Sequence, residues 1–379
     1  MSSEKPSSSQ TLRLVHRGRV LSLPDIPADK TLLALLREDL GLSGVKEGCA
    51  EGDCGACTVV LADLQDQDRV RYRALNSCIR LAHATNGQAV WTAQDLTADP
   101  LLGNASTPAP GLHPAQQAML EHHGSQCGFC TPGFVMSLFG LYQNRVCNGQ
   151  PVDREAACVA LSGNLCRCTG YRPILDAAQA MAALPTAHTD EARLRQLLDQ
   201  AQPDTAPAPP AYLAPETLAA LLQARARQPD AQVVAGCTDV GLWITKGQRQ
   251  YPRLLDITRA AELRRVEQYP HHIAIGAAVT LSDAFAALMA LRPALAGFAE
   301  RFASLPVRNA GTLGGNVANG SPIGDSMPLL LALGASLVLM RWQGRGQRGR
   351  IAHREVALED FYTGYRRNLL RPDELLAWI

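Results

Sequence analysis

Four cysteines near the N-terminus have a spacing that predicts an iron-sulfur cluster. Cys49, Cys54 and Cys57 are separated by four and two residues, and twenty residues lie between Cys57 and Cys78. Plant-type [2Fe-2S] sites use this C-x4-C-x2-C…C arrangement, in which four thiolates converge on two irons. Three glycines of the loop let backbone N–H groups turn toward the bridging sulfides. A structural zinc site is the nearest alternative, although zinc motifs usually bring their cysteines in close pairs.

A second set of cysteines consists of two pairs, Cys127 with Cys130 and Cys166 with Cys168. By spacing alone, pairs of this kind hold zinc about as readily as iron. Each pair precedes a proline at a predicted helix start, where the positive end of the helix would stabilise thiolate charge. This context favours a second iron-sulfur cluster.

Other cysteines and histidines in the same region have simpler interpretations. We expect Cys147 to lie in a loop and Cys158 to lie on a helical face, both as ordinary packed or exposed residues. His122 and His123 end a predicted helix, lack further ligand spacing and are expected to be solvated.

Two kinds of local pattern surround the cysteines. Residues 11–22 predict a hairpin around Gly18, Thr31 to Leu40 predict an amphipathic helix closed by Gly41, and short strands are expected at 58–61 and around 90–92. These elements form a small mixed α+β unit. From His113 onward the pattern is helical, and four helices are expected to start at Pro114, Pro132, Asp153 and Pro173.

The composition changes after the helical region. Ten of the eleven cysteines lie between Cys49 and Cys168, and a proline-rich stretch predicts an extended linker over 185–211. Beyond it, Val/Ile-rich runs alternate with Ala/Leu-rich ones, which is typical of a larger α+β domain. The apolar run at 328–340 is too short to span a membrane and predicts a buried helix that leads into a strand.

Length and charge limit the classes of function. The 379 residues provide for two or three domains, and a formal net charge of +1 gives no field that favours nucleic acid or an anionic membrane. The N-terminal residues contain no apolar segment of a secretory signal. We therefore expect a cytoplasmic protein, in which cysteine clusters bind metal or do chemistry and are not disulfides.

Two glycine-bearing segments in the second half are candidates for a nucleotide site. Neither a Walker A motif nor a G-x-G-x-x-G fingerprint occurs, but residues 233–240 and 309–325 combine glycine with Thr, Asn and Ser. Such backbone can wrap a diphosphate with N–H and hydroxyl donors. By composition alone, however, each segment is more typical of a tight-turn connection.

The cysteine motifs resemble the paired [2Fe-2S] domains of the xanthine dehydrogenase family of molybdenum hydroxylases. The resemblance rests on residues 46–58, 126–133 and 163–173, and it extends over 11–183 without a departure at any ligand. It implies a β-grasp ferredoxin domain over 11–95 and a four-helix domain over 96–184. It also implies that all eight cysteines of the two sets bind a cluster, and that Gln126 faces the molybdopterin of a partner chain.

The two glycine-bearing segments resemble, in the same order, the flavin domain of that family, which has the vanillyl-alcohol-oxidase-like fold. The resemblance implies an α+β FAD-binding domain over 212–379. It continues through 365–376, and Cys237 is expected to be a backbone contact and not a covalent flavin link. The implied FAD contacts are Val233, Val234, Ala235, Gly236, Cys237, Thr238, Asp239, Val240, Phe302, Thr312, Leu313, Gly314, Gly315, Asn316, Asp325 and Leu376. Members of the family continue beyond the position of Ile379, so we expect the flavin domain to be incomplete at its C-terminus.

The function that the resemblance implies is electron transfer. Reducing equivalents from hypoxanthine and xanthine, oxidised to urate on a large molybdopterin-binding subunit, pass through two [2Fe-2S] clusters to FAD and then to NAD+. We expect two copies of each chain or more in the assembly. An aldehyde or another heterocycle as substrate, and oxygen as acceptor, stay open.

Two other classes of protein compete with this interpretation. An iron-sulfur flavin reductase that feeds an oxygenase usually has one ferredoxin cluster and a nicotinamide domain, whereas this sequence has two cysteine quartets and no such domain. A non-catalytic module organised by zinc would contain zinc and no labile sulfide.

Overall fold

A computed structural model describes residues 11–65, 69–103, 111–202, 211–346 and 348–379. The chain divides into two compact units. The first unit comprises residues 1–208 together with two later segments, 238–249 and 304–309. The second unit comprises 209–237, 250–303 and 310–379.

The first unit begins with a five-stranded sheet. The hairpin predicted around Gly18 is confirmed, because Arg17 and Gly18 both have positive φ and make the tight turn that suits a two-residue hairpin. The strand at 69–76, which we did not predict, forms a long antiparallel pair with the strand at 58–65. In sheet order the strands are Arg19–Leu23, Leu12–His16, Ala89–Trp91, Thr58–Gln65 and Arg69–Asn76.

A short helical segment follows the hairpin in the chain. The predicted helix begins as a single α turn at Leu32–Ala34, where the Thr31 hydroxyl accepts from the N–H of Ala34, and continues as a π-helix over Leu35–Asp39. Leu32, Leu33, Leu35 and Leu36 are all buried. The predicted helix is confirmed, but its second half is π-helical instead of α-helical.

Four α-helices follow, as the sequence predicts. Each starts at or within one residue of its expected position, because a proline or a capping side chain supplies the first turn: His113 caps the first helix and Asp153 caps the third. Phe134 and Phe139 of the second helix are completely buried in the core of the first unit. The helices are Pro114–Glu121, Thr131–Asn144, Arg154–Ala160 and Arg172–Ala180.

The expected linker contains a helix that the sequence analysis did not anticipate. Glu191–Gln200 is helical, Asp190 caps it by accepting from the N–H of Arg193, and Leu194 and Leu198 are buried in the core of the first unit. Two leucines four residues apart on one helical face explain this packing. Residues 203–210, which hold most of the prolines, lie outside the described part of the chain.

The second unit is an α+β structure with its own core. A parallel sheet has the order Tyr212–Leu213, Leu254–Asp256, Gln232–Val234, and an antiparallel sheet has the order Arg348–Ala357, Ser336–Arg345, Glu374–Trp378. Two short antiparallel pairs are Val266–Gln268 with Ile273–Ile275 and Tyr362–Gly364 with Arg367–Asn368. The helices are Leu218–Arg227, Leu281–Leu291, Ala296–Arg301, Leu313–Asn319, Ser326–Ala332 and Leu358–Phe361.

The apolar run at 328–340 folds as predicted. It covers most of the helix Ser326–Ala332 and the first half of the strand Ser336–Arg345, and Gly334, with φ +68°, makes the turn between them. Leu330, Leu337 and Leu339 lie in the core of the second unit. Among the described residues, no helix has the length and apolarity needed to cross a membrane.

Candidate metal and flavin sites

The first quartet, Cys49, Cys54, Cys57 and Cys78, is assembled by one strand pair and one loop. Thr58 pairs with Asn76 at the end of the antiparallel ladder, so the next residues on each side, Cys57 and Ser77, meet. The Ser77 hydroxyl donates to the carbonyl of Cys57 at 2.7 Å, which brings Cys78 beside Cys57. The loop that precedes Cys57 supplies the other two thiols.

The thiols of the first quartet interact in two pairs. A hydrogen bond with Cys78 lowers the pKa of Cys57 and raises that of Cys78. Burial acts to raise the pKa of Cys49, but backbone N–H groups outweigh it and the pKa is lowered. The N–H groups of Glu51 and Cys54 each donate to Sγ of Cys49 at 3.4 Å. These donors stabilise negative charge on the sulfur.

The second quartet, Cys127, Cys130, Cys166 and Cys168, lies where two helices begin. Cys130 directly precedes the helix Thr131–Asn144, and Cys166 and Cys168 lie in the turn before Arg172–Ala180. Burial raises the pKa of Cys130 to about 12, with a further contribution from Cys166. The Cys168 pKa is raised by its hydrogen bond with Cys127. The second quartet therefore also divides into two pairs.

This arrangement fits two-iron clusters. Each quartet consists of two pairs of thiols, and a [2Fe-2S] cluster needs two protein ligands on each of its two irons. A closed tetrahedral zinc site needs its ligands around one centre. The donor chemistry of both quartets therefore fits [2Fe-2S].

The loops of the two quartets contact each other directly within the first unit. The N–H of Leu165 donates to the carbonyl of Cys54 at 3.0 Å, and the amide of Asn164 donates to the carbonyl of Gly55 at 3.1 Å. A Cβ on Gly55 would lie 2.0 Å from the carbonyl oxygen of Gly163. The contacts of Asn164 and Leu165 were not predicted, although both residues lie inside the motif that contains Cys166.

The surface around the second quartet is exposed and partly apolar. Cys127 and Cys168 are exposed, as is Gln126. Phe129 and Leu165 are 50% and 52% exposed, which is high for large apolar side chains. By contrast, Cys57 and Cys78 of the first quartet are 1% and 2% exposed.

Two cysteines and two histidines of the helical region belong to neither quartet. Cys147 is half-buried in a short 3-10 turn, and burial raises its pKa to about 11. Cys158 is exposed on the helix Arg154–Ala160. His122 and His123 follow the end of the helix Pro114–Glu121, as predicted, and neither is buried.

The second unit brings the two glycine-bearing segments together. A Cβ on Gly236 would lie 1.9 Å from the carbonyl oxygen of Ala310, and a Cβ on Gly315 would lie 3.4 Å from the Cβ of Ala235. The Thr312 hydroxyl accepts from the N–H of Gly315 at 2.9 Å. Val233, Val234 and Cys237 lie on the strand and turn of the first segment, and Leu313, Gly314 and Asn316 on the helix of the second.

Phe302 and Asp325 line one open cavity of about 410 Å³ in the second unit. Its other lining residues, which were not predicted, are Ala294, Gly297, Phe298 and Arg301. Phe298 and Phe302 have ring centroids 5.9 Å apart, and both rings also contact Phe285. An aromatic wall with a cation and a carboxylate beside it fits a flat, polar-edged ring system such as flavin.

Five of the expected flavin contacts have other surroundings. Leu376 is 4% exposed in the core, on the strand paired with Leu339. Thr238, Asp239 and Val240 belong to the segment that groups with the first unit and leads into the helix Val240–Thr245. Cys237 is buried with φ +64°, and its thiol lies 3.6 Å from the carbonyl oxygen of Ala235.

Family comparisons give three domain matches in chain order. Residues 22–82 match a 2Fe-2S iron-sulfur cluster binding domain, 102–179 match a [2Fe-2S] binding domain, and 205–379 match an FAD binding domain in molybdopterin dehydrogenase. The chain belongs to the molybdenum hydroxylase family. It contains the two [2Fe-2S] domains and the FAD-binding domain of such an oxidoreductase, and the predicted multidomain α+β fold is confirmed.

Curated relatives agree with this assignment. Xanthine dehydrogenase of Drosophila subobscura is 35% identical over the whole of this chain, and xanthine dehydrogenase/oxidase of Gallus gallus is 29% identical over 98% of it. The chain spans about a third of the length of these relatives, 31% in both cases. A solved structure, quinoline 2-oxidoreductase from Pseudomonas putida 86, is 29% identical over 47% of this chain and 96% of its own, with a TM-score of 0.38.

Proposed function

We propose that this chain is the electron-transfer part of a cytoplasmic xanthine dehydrogenase. Hypoxanthine and xanthine would be oxidised to urate on a large molybdopterin-binding subunit, and NAD+ would be the final acceptor. The curated relatives named xanthine dehydrogenase support this choice over an aldehyde or another heterocycle. The domain limits in this proposal are 11–95, 96–184 and 212–379, with 185–211 between the last two.

The hydrogen bond between the two quartet loops carries the proposal. Leu165 precedes Cys166 in the chain, and its N–H donates to the carbonyl of Cys54 at 3.0 Å. A ligand of one proposed cluster is thus joined to a ligand of the other by a few covalent bonds and one hydrogen bond. Such a short connection suits electron passage between two carriers inside one chain.

The chain's own residues have distinct parts in this proposal. When bound, the clusters supply one-electron transfer and the flavin supplies two-electron hydride chemistry. The eight cysteines of the two quartets would bind the irons, and backbone N–H groups would stabilise the charge on Cys49. The exposed apolar surface around Gln126 and the second quartet would exclude water from the contact with the large subunit.

The proposed flavin site lies in the second unit, on the 233–237 and 309–325 segments. Their backbone donors would hold the diphosphate, and Phe302 would cover the flavin ring. Asp325 would hold the polar edge of the cofactor, and Arg301 lines the same cavity. Thr238, Asp239, Val240 and Leu376 stay predicted contacts.

The assembly with the large subunit tests the proposed activity. Under anaerobic conditions, xanthine should reduce both clusters and the flavin, and added NAD+ should reoxidise them. The chain alone should oxidise no xanthine, because thiolate-ligated clusters offer no open metal position at which water is activated. Turnover of xanthine by the chain without molybdenum or partner would contradict the proposal, and sedimentation of the assembly tests the expected two copies of each chain.

A single substitution tests the flavin site. Asp325→Ala in the assembly should lower FAD content and NAD+ reduction while both cluster spectra stay intact, because the quartets belong to the first unit. Asp360→Ala is a matched control, since Asp360 is an exposed acid of the same unit outside the cavity. Full flavin and full NAD+ reduction in Asp325→Ala would show that the 309–325 segment does not hold FAD.

A further inference from the structure

The helix Val240–Thr245 contacts the first quartet through one peptide group. The hydroxyl of Thr245 donates to the carbonyl oxygen of Ala50 at 2.9 Å. The same planar amide carries the N–H of Glu51, which donates to Sγ of Cys49 at 3.4 Å. Hydroxyl, amide and sulfur therefore form a continuous hydrogen-bond chain.

Such a chain has a direct effect on the sulfur. A hydrogen bond accepted by an amide carbonyl polarises the amide and strengthens the bond that its N–H donates. Bonds from N–H groups to cluster sulfurs favour the more negative, reduced state and are one of the factors that set the potential of an iron-sulfur cluster. The Thr245 hydroxyl therefore acts on Cys49 although it does not touch it.

The helix is well placed to hold this amide. Ala50 has φ +55°, a left-handed conformation that costs an alanine about 1 kcal/mol and needs support from its surroundings. At the other end of the quartet, Gly241 lies so close to Ile79 that a Cβ would be 2.2 Å from the Ile79 carbonyl oxygen. The helix thus contacts residues that directly follow Cys49 and Cys78, within the first unit.

A second acceptor competes for the same proton. The carbonyl oxygen of Gly241 lies 3.0 Å from the Thr245 hydroxyl, as is common for threonine in a helix. One hydroxyl carries one proton, and the bond to Gly241 contributes nothing to the cluster loop. A variant without the hydroxyl therefore loses only one contact that matters to the cysteines.

We propose that Thr245 is a positioning residue for the first cluster, which raises the reduction potential of that cluster through the Ala50–Glu51 amide. The inference rests on the proposed assignment of Cys49, Cys54, Cys57 and Cys78 as ligands.

The test is a redox titration of the full chain loaded with iron and sulfide, followed by electron paramagnetic resonance. In Thr245→Val the reduced-to-oxidised ratio of the first cluster should fall by up to tenfold at a fixed potential, a shift of up to about 59 mV to the negative. The second cluster should not change. Thr245→Ser, which keeps the hydroxyl, should titrate like the wild type.

Lys246→Gln is the matched control. Lys246 is the next residue, and its ammonium lies 3.9 Å from the Glu51 carboxylate with both side chains about half exposed, so its loss should leave both potentials unchanged. An unchanged first potential in iron-replete Thr245→Val would overturn the inference. If Thr245→Val loses iron, the result for Thr245→Ser decides the question. Wild-type iron content and potential in Thr245→Ser support the role of the hydroxyl, whereas loss of iron in Thr245→Ser also overturns the inference. Absence of two [2Fe-2S] signals in the wild type would instead contradict the proposed function.

Discussion

The two cysteine quartets differ in how much protein surrounds them. Cys57 and Cys78 lie just beyond the end of two paired strands and are almost completely buried, whereas Cys127 and Cys168 are exposed near helix starts. Cys49 and Cys54 are half-buried, and the helix Val240–Thr245 contacts their loop at Ala50. The second quartet is framed by exposed apolar side chains. The first quartet is therefore the more buried of the two proposed electron-carrier sites, and the second has an exposed surface that is open to a partner.

Loss of one ligand is the strongest way to separate the two quartets. Cys54→Ser should remove one of two distinguishable paramagnetic signals and about half of the iron and labile sulfide, because the quartets are built from different loops. Iron analysis and electron paramagnetic resonance measure this. Cys158→Ser, at an exposed cysteine outside both quartets, should change neither. Loss of both signals together in Cys54→Ser would mean that the eight cysteines form one shared site.

The contact between the quartets is the next target. Gly55→Ala places a Cβ 2.0 Å from the Gly163 carbonyl oxygen, so the loops must separate, and the variant should lose about 2 kcal/mol or more of unfolding free energy. Gly149→Ala is the matched control, because Gly149 has nearly the same φ, +70° against +69°, and nothing lies within 4 Å of its added Cβ. Gly149→Ala should lose only about 1 kcal/mol of unfolding free energy, because of backbone strain. Equal losses in thermal unfolding would show that the contact does not matter.

A smaller effect is expected on association with the large subunit, at the exposed surface of the second quartet. Leu165→Asp should weaken binding to the large subunit by roughly tenfold, because an apolar contact would be replaced by a desolvated charge, while both cluster signals persist. Leu291→Asp is the control, since Leu291 is 44% exposed in the second unit. Binding measured by titration with the large subunit checks this. Unaltered affinity in Leu165→Asp would place the partner surface elsewhere.

The smallest expected effect concerns one hydrogen bond of the second quartet. The Tyr171 hydroxyl accepts from the N–H of Cys166 at 3.0 Å, and Tyr171 is 37% exposed. Tyr171→Phe should therefore cost about 0.5–1 kcal/mol of unfolding free energy and leave the signal of the first cluster unchanged. A change in the first signal of this variant would show that the two sites are not as separate as their burial indicates.

Local patterns predicted much of the first unit. The turn at Gly18, the capped helix starts at Pro114 and Asp153, and the cysteine spacings are all short-range features that a few neighbouring residues decide. The strand at 69–76 and the helix Glu191–Gln200 were not predicted. Their apolar residues, such as Val70 and Tyr72 of the strand and Leu194 of the helix, are buried against distant parts of the unit, and this burial stabilises them.

The sequence by itself determined which chemistry the chain can do, because ligand type and spacing limit the metal centre to a few kinds. Only the tertiary structure decided how the sites are connected. The bond from Leu165 to Cys54 and the bond from Thr245 to Ala50 join residues more than a hundred positions apart, and Arg301 reaches the cavity of Asp325 by folding alone. No local periodicity encodes such contacts, since they form when separately folded elements pack together.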